Sequence, residues 1–252
     1  MGDRELTDRG PQTTDRGQRS AVVLITGATG NLGAAAARAF YAAGDTLALF
    51  ARKPDKVTAV LPVISADGER AAAFSVDMSD PDSIESGVQA VIANFGRVDV
   101  LVNTVGGYRA GTPVHETPLE TWEFMQALNA RAAFLISRAV VPHMLAQKSG
   151  KIIHVAARPG LKGARNAAAY SAAKSAVIRL TESLSAEVKE AGINVNCILP
   201  GTIDTPQNRA AMPTADFSRW VAPEALAAVI RFLASADAAP IHGAAIPAYG
   251  LS

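Results

Sequence analysis

Tyr170 and Lys174 stand four residues apart in the run Tyr170-Ser171-Ala172-Ala173-Lys174, inside an Ala-rich stretch from Asn166 to Glu190 that predicts a helix. Residues at i and i+4 share a helix face. An ammonium held beside a phenol favours the phenolate, so this pairing would draw the tyrosine down from about 10 toward working pH, as a general acid requires. The same pair also describes a half-buried aromatic next to a solvated charge. The elements around it must decide.

The first of these lies at the other end of the chain. Ala21 to Thr26 is a continuous apolar, β-branched run that reads as a strand buried on both faces. It leads into Gly27-Ala28-Thr29-Gly30-Asn31-Leu32-Gly33, and a helix-like stretch from Ala34 to Ala43 follows at once. Glycines there permit a tight turn and let backbone N–H groups approach a pyrophosphate, whose charge is favoured at a helix N-terminus. Strand, glycine turn and helix in that order form the context a dinucleotide-binding motif needs.

From Ala21 onward the two kinds of segment alternate. Strands are predicted near 21–26, 46–50, 71–76, 98–103, 150–156, 193–198 and 243–247, with helices near 31–43, 54–65, 81–95, 118–146, 168–191 and 223–235. Seven strands with intervening helices imply one α/β domain over residues 21–252, a Rossmann-type, doubly wound parallel sheet with helices on both faces. Such sheets bind ligands beyond the C-terminal strand ends. Every candidate site residue falls at such an end or at the start of the next helix.

Composition agrees with that class. The 252 residues are 49% hydrophobic and carry a net charge of +1, which gives no electrostatic footprint for nucleic acid or an anionic membrane. No apolar run approaches the roughly 20 residues of a membrane span. Cys197 is the single cysteine and no Cys/His cluster is apparent, so neither an internal disulfide nor a metal site is expected. A reducing cytoplasm is the expected location. The first twenty residues are polar and charged, predict a disordered tail, and lack the apolar core of a signal peptide.

Together these residues resemble the short-chain dehydrogenase/reductase family from Ala21 to Gly250. The resemblance is carried by Thr26-Gly27 with Gly33, Asp77 after the third strand, Asn103-Thr104-Val105-Gly106 after the fourth, Asn129, Tyr170 with Lys174, and Pro200-Gly201 followed by Thr205. It implies a dinucleotide on a turn formed by Gly27, Thr29, Gly30, Asn31, Leu32 and Gly33. Further contacts are implied from Asp77, Met78, Asn103, Val105, Gly106, Tyr170, Lys174, Pro200, Gly201, Ile203 and Thr205. Tyr170 is implied as proton donor to a small-molecule substrate, with Asn129 holding a water in the proton relay. The long segments 121–146 and 168–191 resemble the helices this family pairs across a two-fold axis, which implies a homodimer or homotetramer.

Three departures narrow the expectation. Asn31 replaces a usual glycine, which has moved to Gly30; Val105-Gly106 is followed by a second glycine, Gly107; and the usual serine thirteen residues before the tyrosine is Ala157. These features resemble the dihydropteridine reductase branch, as does the segment Leu199 to Trp220, which sits where the family places its substrate lid. The missing hydroxyl has a chemical rationale. Loss of a donor to a developing oxyanion typically costs on the order of 10²-fold in ketone reduction. A quinonoid dihydropterin is already electron-poor and gains aromatic character on accepting hydride, so it depends less on that donor. The leading expectation is therefore hydride transfer to a small planar acceptor such as a quinonoid dihydropterin. Reduction of a carbonyl such as a 3-oxoacyl thioester is the alternative enzyme reading, and a non-catalytic dinucleotide-binding regulator the other.

Cofactor choice is read from the end of the second strand. NAD-specific relatives place an acidic residue there; this chain has Ala51, followed by Arg52 and Lys53, which suit the 2′-phosphate of NADPH. A solvated basic pair, with NADH used instead, is the alternative. Tyr108, Arg158, Ala157 and Trp220 are candidates for substrate contact, Arg158 also reading as a solvated loop residue and Trp220 as a buried anchor. His154 reads as an interior histidine with one ring nitrogen satisfied; His115 and His143 read as surface residues.

Overall fold

The computed structural model describes residues 20–252. The expected disordered tail falls almost wholly on residues 1–19, outside those described. The sheet strands are β1 (Val22–Thr26), β2 (Thr46–Ala51), β3 (Ala71–Ser75), β4 (Val100–Asn103), β5 (Gly150–Val155), β6 (Ile193–Pro200) and β7 (Ala245–Ala248). The helices are α1 (Asn31–Ala42), α2 (Pro54–Val60), α3 (Pro62–Ser65), α4 (Pro81–Phe95), α5 (Leu119–Met125), α6 (Ala132–Gln147), α7 (Ala168–Val188), α8 (Pro206–Ala211) and α9 (Pro223–Ala234). All seven strands are parallel, in the order β3-β2-β1-β4-β5-β6-β7. The order reverses between β1 and β4, and the crevice beyond their C-terminal ends is where such a sheet takes a ligand.

The apolar runs become strands because both faces are covered. Val23, Ile25, Leu47 and Leu49 pack with α1, α2, α3 and α9 on one side. Leu24, Phe50, Leu101 and Ile152 pack with α4, α6 and the end of α7 on the other. Alanines at 34–37 are all buried, so α1 lies close against the sheet and its N-terminus is brought onto the glycine turn.

The predicted elements hold with five differences. The helix expected over 54–65 is two, because Pro62 has no N–H to continue the ladder and opens α3 instead. The helix expected over 118–146 is interrupted by a π-helical segment, Gln126–Arg131, that contains Asn129. The fourth strand begins at Val100 instead of 98, and the seventh runs from Ala245 to Ala248. A short helix, α8, was not expected; Thr205 caps it by accepting from Asn208 N (3.1 Å), and Pro206 supplies its first residue.

Candidate active site

Gly27 adopts φ 67°, a left-handed conformation that costs other residues energy, and turns the chain from β1 toward α1. A Cβ on Gly33 would collide with the Gly27 carbonyl oxygen and lie 2.9 Å from Thr104 Oγ1, so only glycine lets the helix start pack this tightly under the turn. Beyond the turn opens a cavity of about 610 Å³. Eight of the expected cofactor residues line it, namely Gly27, Thr29, Gly30, Arg52, Asp77, Met78, Val105 and Gly106. Phe50, Ser79, Thr104, Phe124 and Leu128 line it as well, and the sequence reading missed them. Thr104 had a signal, since it directly follows β4; Phe124 and Leu128 arrive from a helix whose orientation only the tertiary structure reveals. An apolar slot beside a glycine turn, a helix N-terminus and a guanidinium fits a dinucleotide.

The remaining expected cofactor residues are not among those that line this cavity. Asn31 donates from Nδ2 to Gln207 Oε1 (2.9 Å), joining the glycine turn to α8. Leu32 and Thr205 are buried, Pro200 is the last residue of β6, and Gly201 and Ile203 follow it. Lys53 occupies the N-cap position of α2 and does not line the cavity. Asp77 accepts from the backbone and hydroxyl of Ser79 (2.9 and 2.7 Å), which holds its carboxyl below the usual range, with Arg52 a smaller contribution.

Asn103 is buried, and its role is structural. It accepts from Thr26 Oγ1 (2.7 Å), and its amide nitrogen lies 3.4 Å from Nδ1 of His154. Thr26, Asn103 and His154 are in register on β1, β4 and β5. Ser137 donates to Ala133 O (2.8 Å) and so accepts from His154 Nε2 at 3.2 Å. Both imidazole nitrogens are thus engaged, where one was expected. Its Nδ1 faces an amide donor, which leaves no acceptor for a second proton. Burial, then the nearby Lys174 charge, push His154 down to about 4. The unfolded chain takes up this proton near 6.5 and the folded chain only near 4, so stability should fall as pH drops through that window, by up to about 3 kcal/mol. Urea unfolding at pH 7, 6 and 5 checks this: His154→Asn should flatten the dependence, and an unchanged slope would assign the acid loss to other groups.

Tyr170 and Lys174 project from the first turns of α7 at the open end of β5. Lys174 is buried, donates to Val155 O (2.8 Å), and its Nζ lies 5.9 Å from the Tyr170 ring centroid. A Cβ on Gly106 would lie 3.0 Å from that Nζ and 2.8 Å from Asn129 Oδ1, so the backbone of Gly106 passes directly over the pair. Burial pushes Lys174 down to about 8. It also pushes Tyr170 up to about 12, with Tyr108 a smaller contribution in the same direction. This corrects the expected depression of the phenol. In the protein alone desolvation wins, because the ammonium sits at the Val155 carbonyl instead of beside the hydroxyl.

Asn129 is buried in the π-helical segment, and its amide is spent on backbone. Nδ2 donates to Gly107 O (3.2 Å) and Met125 O (3.0 Å), while Oδ1 accepts from Gly107 N (3.2 Å). The side chain therefore mounts the Gly106-Gly107 turn, and no side-chain donor of Asn129 is left over for the expected relay water. Ala157 is buried where β5 ends. Arg158 is drawn away from the pocket, with Nη1 donating to Ser252 O (3.2 Å) and its guanidinium over the Tyr249 ring at 5.1 Å. Tyr108 stands edge-on to Tyr170, ring centroids 4.9 Å apart. Trp220 is half-buried and packs on Phe217 at 4.7 Å. His115 and His143 lie at the surface, beside Glu116 and Gln89.

Known proteins place this arrangement. The family model for short chain dehydrogenases matches residues 21–216. The chain is 36% identical over 224 residues to a 3-oxoacyl-[acyl-carrier-protein] reductase of Synechocystis sp., covering 86% of this chain and 90% of that one. It is 37% identical over 245 residues to a meso-2,3-butanediol dehydrogenase of Serratia marcescens, covering 91% and 93%. Among solved structures, ElxO with NADP bound superposes with a TM-score of 0.86 at 25% identity, covering 92% of this chain and 98% of that one. NAD+-bound xylitol dehydrogenase superposes with a TM-score of 0.84 at 26% identity, covering 91% and 98%. With its glycine turn, its Tyr170/Lys174 pair and its seven-stranded sheet, the chain belongs to the short-chain dehydrogenase family of NAD(P)-dependent oxidoreductases.

Proposed function

We propose that this oxidoreductase interconverts a ketone-type carbonyl and its secondary alcohol, with NADPH the preferred cofactor. The observation that carries the reading is Tyr170, placed with Lys174 at the open end of β5 beside the dinucleotide-shaped cavity. Relatives named for a ketoacyl thioester and for a vicinal diol support the acceptor class. When bound, the nicotinamide supplies or accepts the hydride. Tyr170 would give its phenol proton to the carbonyl oxygen as charge develops there, and Lys174, held by Val155 O, would keep positive charge under the reacting groups. Asn129 serves this site as a positioning residue by holding Gly107.

Ala157 supports a second reading, an activated planar acceptor such as a quinonoid dihydropterin, because a buried methyl replaces the carbonyl donor. One screen separates the two. With NADPH, a vicinal diketone and a 3-oxoacyl thioester should turn over with a kcat/KM at least about 10-fold above that for quinonoid dihydropterin. The reverse ranking would move the pterin reading to first place.

The cofactor preference rests on Arg52, which lines the cavity and makes no ion pair among the described residues. Arg52→Ala should weaken NADPH by about 10-fold or more and leave NADH nearly unchanged, since a charge-assisted bond to a phosphate contributes about 1.5–3 kcal/mol. Equal losses for both cofactors, measured by fluorescence titration, would remove Arg52 from phosphate recognition.

A homodimer, with a homotetramer as its extension, is proposed on the outer face of α6. Phe134, Arg138, Val141 and Leu145 recur there at helical spacing, with Phe134 51% and Leu145 42% exposed.

A further inference from the structure

The carbonyl reading leaves one chemical gap. Two groups normally share the developing charge on a ketone oxygen, and here one of them, a hydroxyl at 157, is a methyl. Ser171 does not fill the gap, since it is buried and its Oγ is held against the backbone at Ala164 N (3.3 Å). Thr104 does not either, because its hydroxyl is spent on Thr26 O (2.6 Å).

Tyr108 has the opposite character. Its side chain is 70% exposed, yet the ring stands edge-on to Tyr170 at an interplanar angle of 83°. The backbone that delivers it is fixed: both peptide groups of the preceding residue, Gly107, are bonded to the buried amide of Asn129. A Cβ at Gly107 would come within 2.6 Å of Leu128 Cδ2, so that side chain packs closely under the turn. A rigid mount thus presents a phenol at the proton donor, while the ring itself is left largely out of the core. A residue kept only for packing would be buried; a residue kept only for solubility would not be mounted so closely.

We propose that Tyr108, edge-on to Tyr170, is a catalytic residue whose phenol O–H donates to the substrate carbonyl oxygen in place of the absent hydroxyl at 157. In the reduction the hydride adds to the carbonyl carbon, Tyr170 transfers its proton to the oxygen, and Tyr108 keeps its own proton throughout. A phenol is a more acidic donor than an aliphatic hydroxyl. This assignment rests on the carbonyl reading above.

The test uses the full chain with NADPH and a vicinal diketone. Tyr108→Phe retains the ring and removes the hydroxyl, and should lower kcat by about 10- to 100-fold while NADPH affinity changes by less than about twofold. Adding Ala157→Ser to that variant should restore kcat to within about threefold of the unsubstituted enzyme, because a hydroxyl donor returns at 157. Full activity in Tyr108→Phe would overturn the assignment, leaving Tyr108 as a cover for the site. A loss that Ala157→Ser does not restore would overturn it too. If the unsubstituted enzyme reduces no carbonyl at all, the carbonyl reading itself fails and Tyr108 loses this role with it; the first two outcomes, by contrast, leave that reading standing.

Discussion

Tyr170→Phe should lower turnover by about 10²-fold or more with any acceptor, while NADPH still binds with nearly unchanged affinity. The substitution removes one hydroxyl and leaves the ring that packs edge-on against Tyr108, so the local structure has little reason to shift. What is lost is the proton that must reach the substrate oxygen as hydride arrives. Lys174→Ala should behave differently. Its ammonium donates to Val155 O and lies directly beneath Gly106, which lines the cofactor cavity, so its loss should weaken NADPH as well as kcat. Stopped-flow turnover with a fluorescence titration of NADPH on each variant separates the two effects. Wild-type kcat in Tyr170→Phe would strip the residue of its role, and unchanged NADPH affinity in Lys174→Ala would confine the lysine to proton transfer.

The sheet was legible because its strands are buried on both faces: Val22 to Thr26 must be apolar throughout, and the residues that follow the apolar run mark the strand end and therefore the site. Gly27, Arg52, Asp77 and Val105 could be placed at the cavity on that rule alone. The Tyr170/Lys174 pair was legible from local spacing. Its electrostatics were not, since a pKa depends on burial and on where the ammonium finds its acceptor, and Val155 O belongs to a different element.

Asn129 marks the same limit. Its helical periodicity runs without a break from Leu119 to Gln147, so nothing local announced the π-helical segment. The cause is an amide that pairs with Gly107, 22 residues away. π-Helical insertions are often found at functional sites, and this one positions the turn that carries Tyr108. By contrast α8 did carry a local signature, Thr205-Pro206 with Asn208 three residues after the cap, but six residues are too few for periodicity to register. The partner of Arg158 was not visible in the sequence, since it is the carbonyl of Ser252, 94 residues away. The branch is a finer question than the family. Ala157 and Gly106-Gly107 are local features, whereas overall similarity to a ketoacyl reductase and a diol dehydrogenase speaks to the family as a whole.

Gly33→Ala should be the most damaging single-methyl change in the cofactor site. Alanine ordinarily stabilises a helix over glycine by about 1 kcal/mol, and Gly33 lies within α1 where such a gain would apply. The added Cβ, however, would run into the carbonyl oxygen of Gly27 and stand 2.9 Å from both the Gly27 carbonyl carbon and Thr104 Oγ1. These are backbone and hydrogen-bonded atoms: Thr104 Oγ1 donates to Thr26 O at 2.6 Å, so neither neighbour can swing aside without loosening β1 from β4. Overpacking of this kind costs about 1–3 kcal/mol or more, enough to lower the melting temperature by about 5–10 °C in a domain of this size. NADPH affinity should fall by about 10²-fold, because the displaced turn carries the N–H groups that face the pyrophosphate. Gly30→Ala gives the graded comparison, since its Cβ would meet only Gly27 O at 3.3 Å, and Gly68→Ala, with nothing within 4 Å, gives the control. Melting temperatures and NADPH affinities should therefore both fall in the order Gly68, Gly30, Gly33. Equal behaviour of the last two would mean that the turn yields where the packing says it cannot, and that close approach of α1 to β1 is not what the glycine secures.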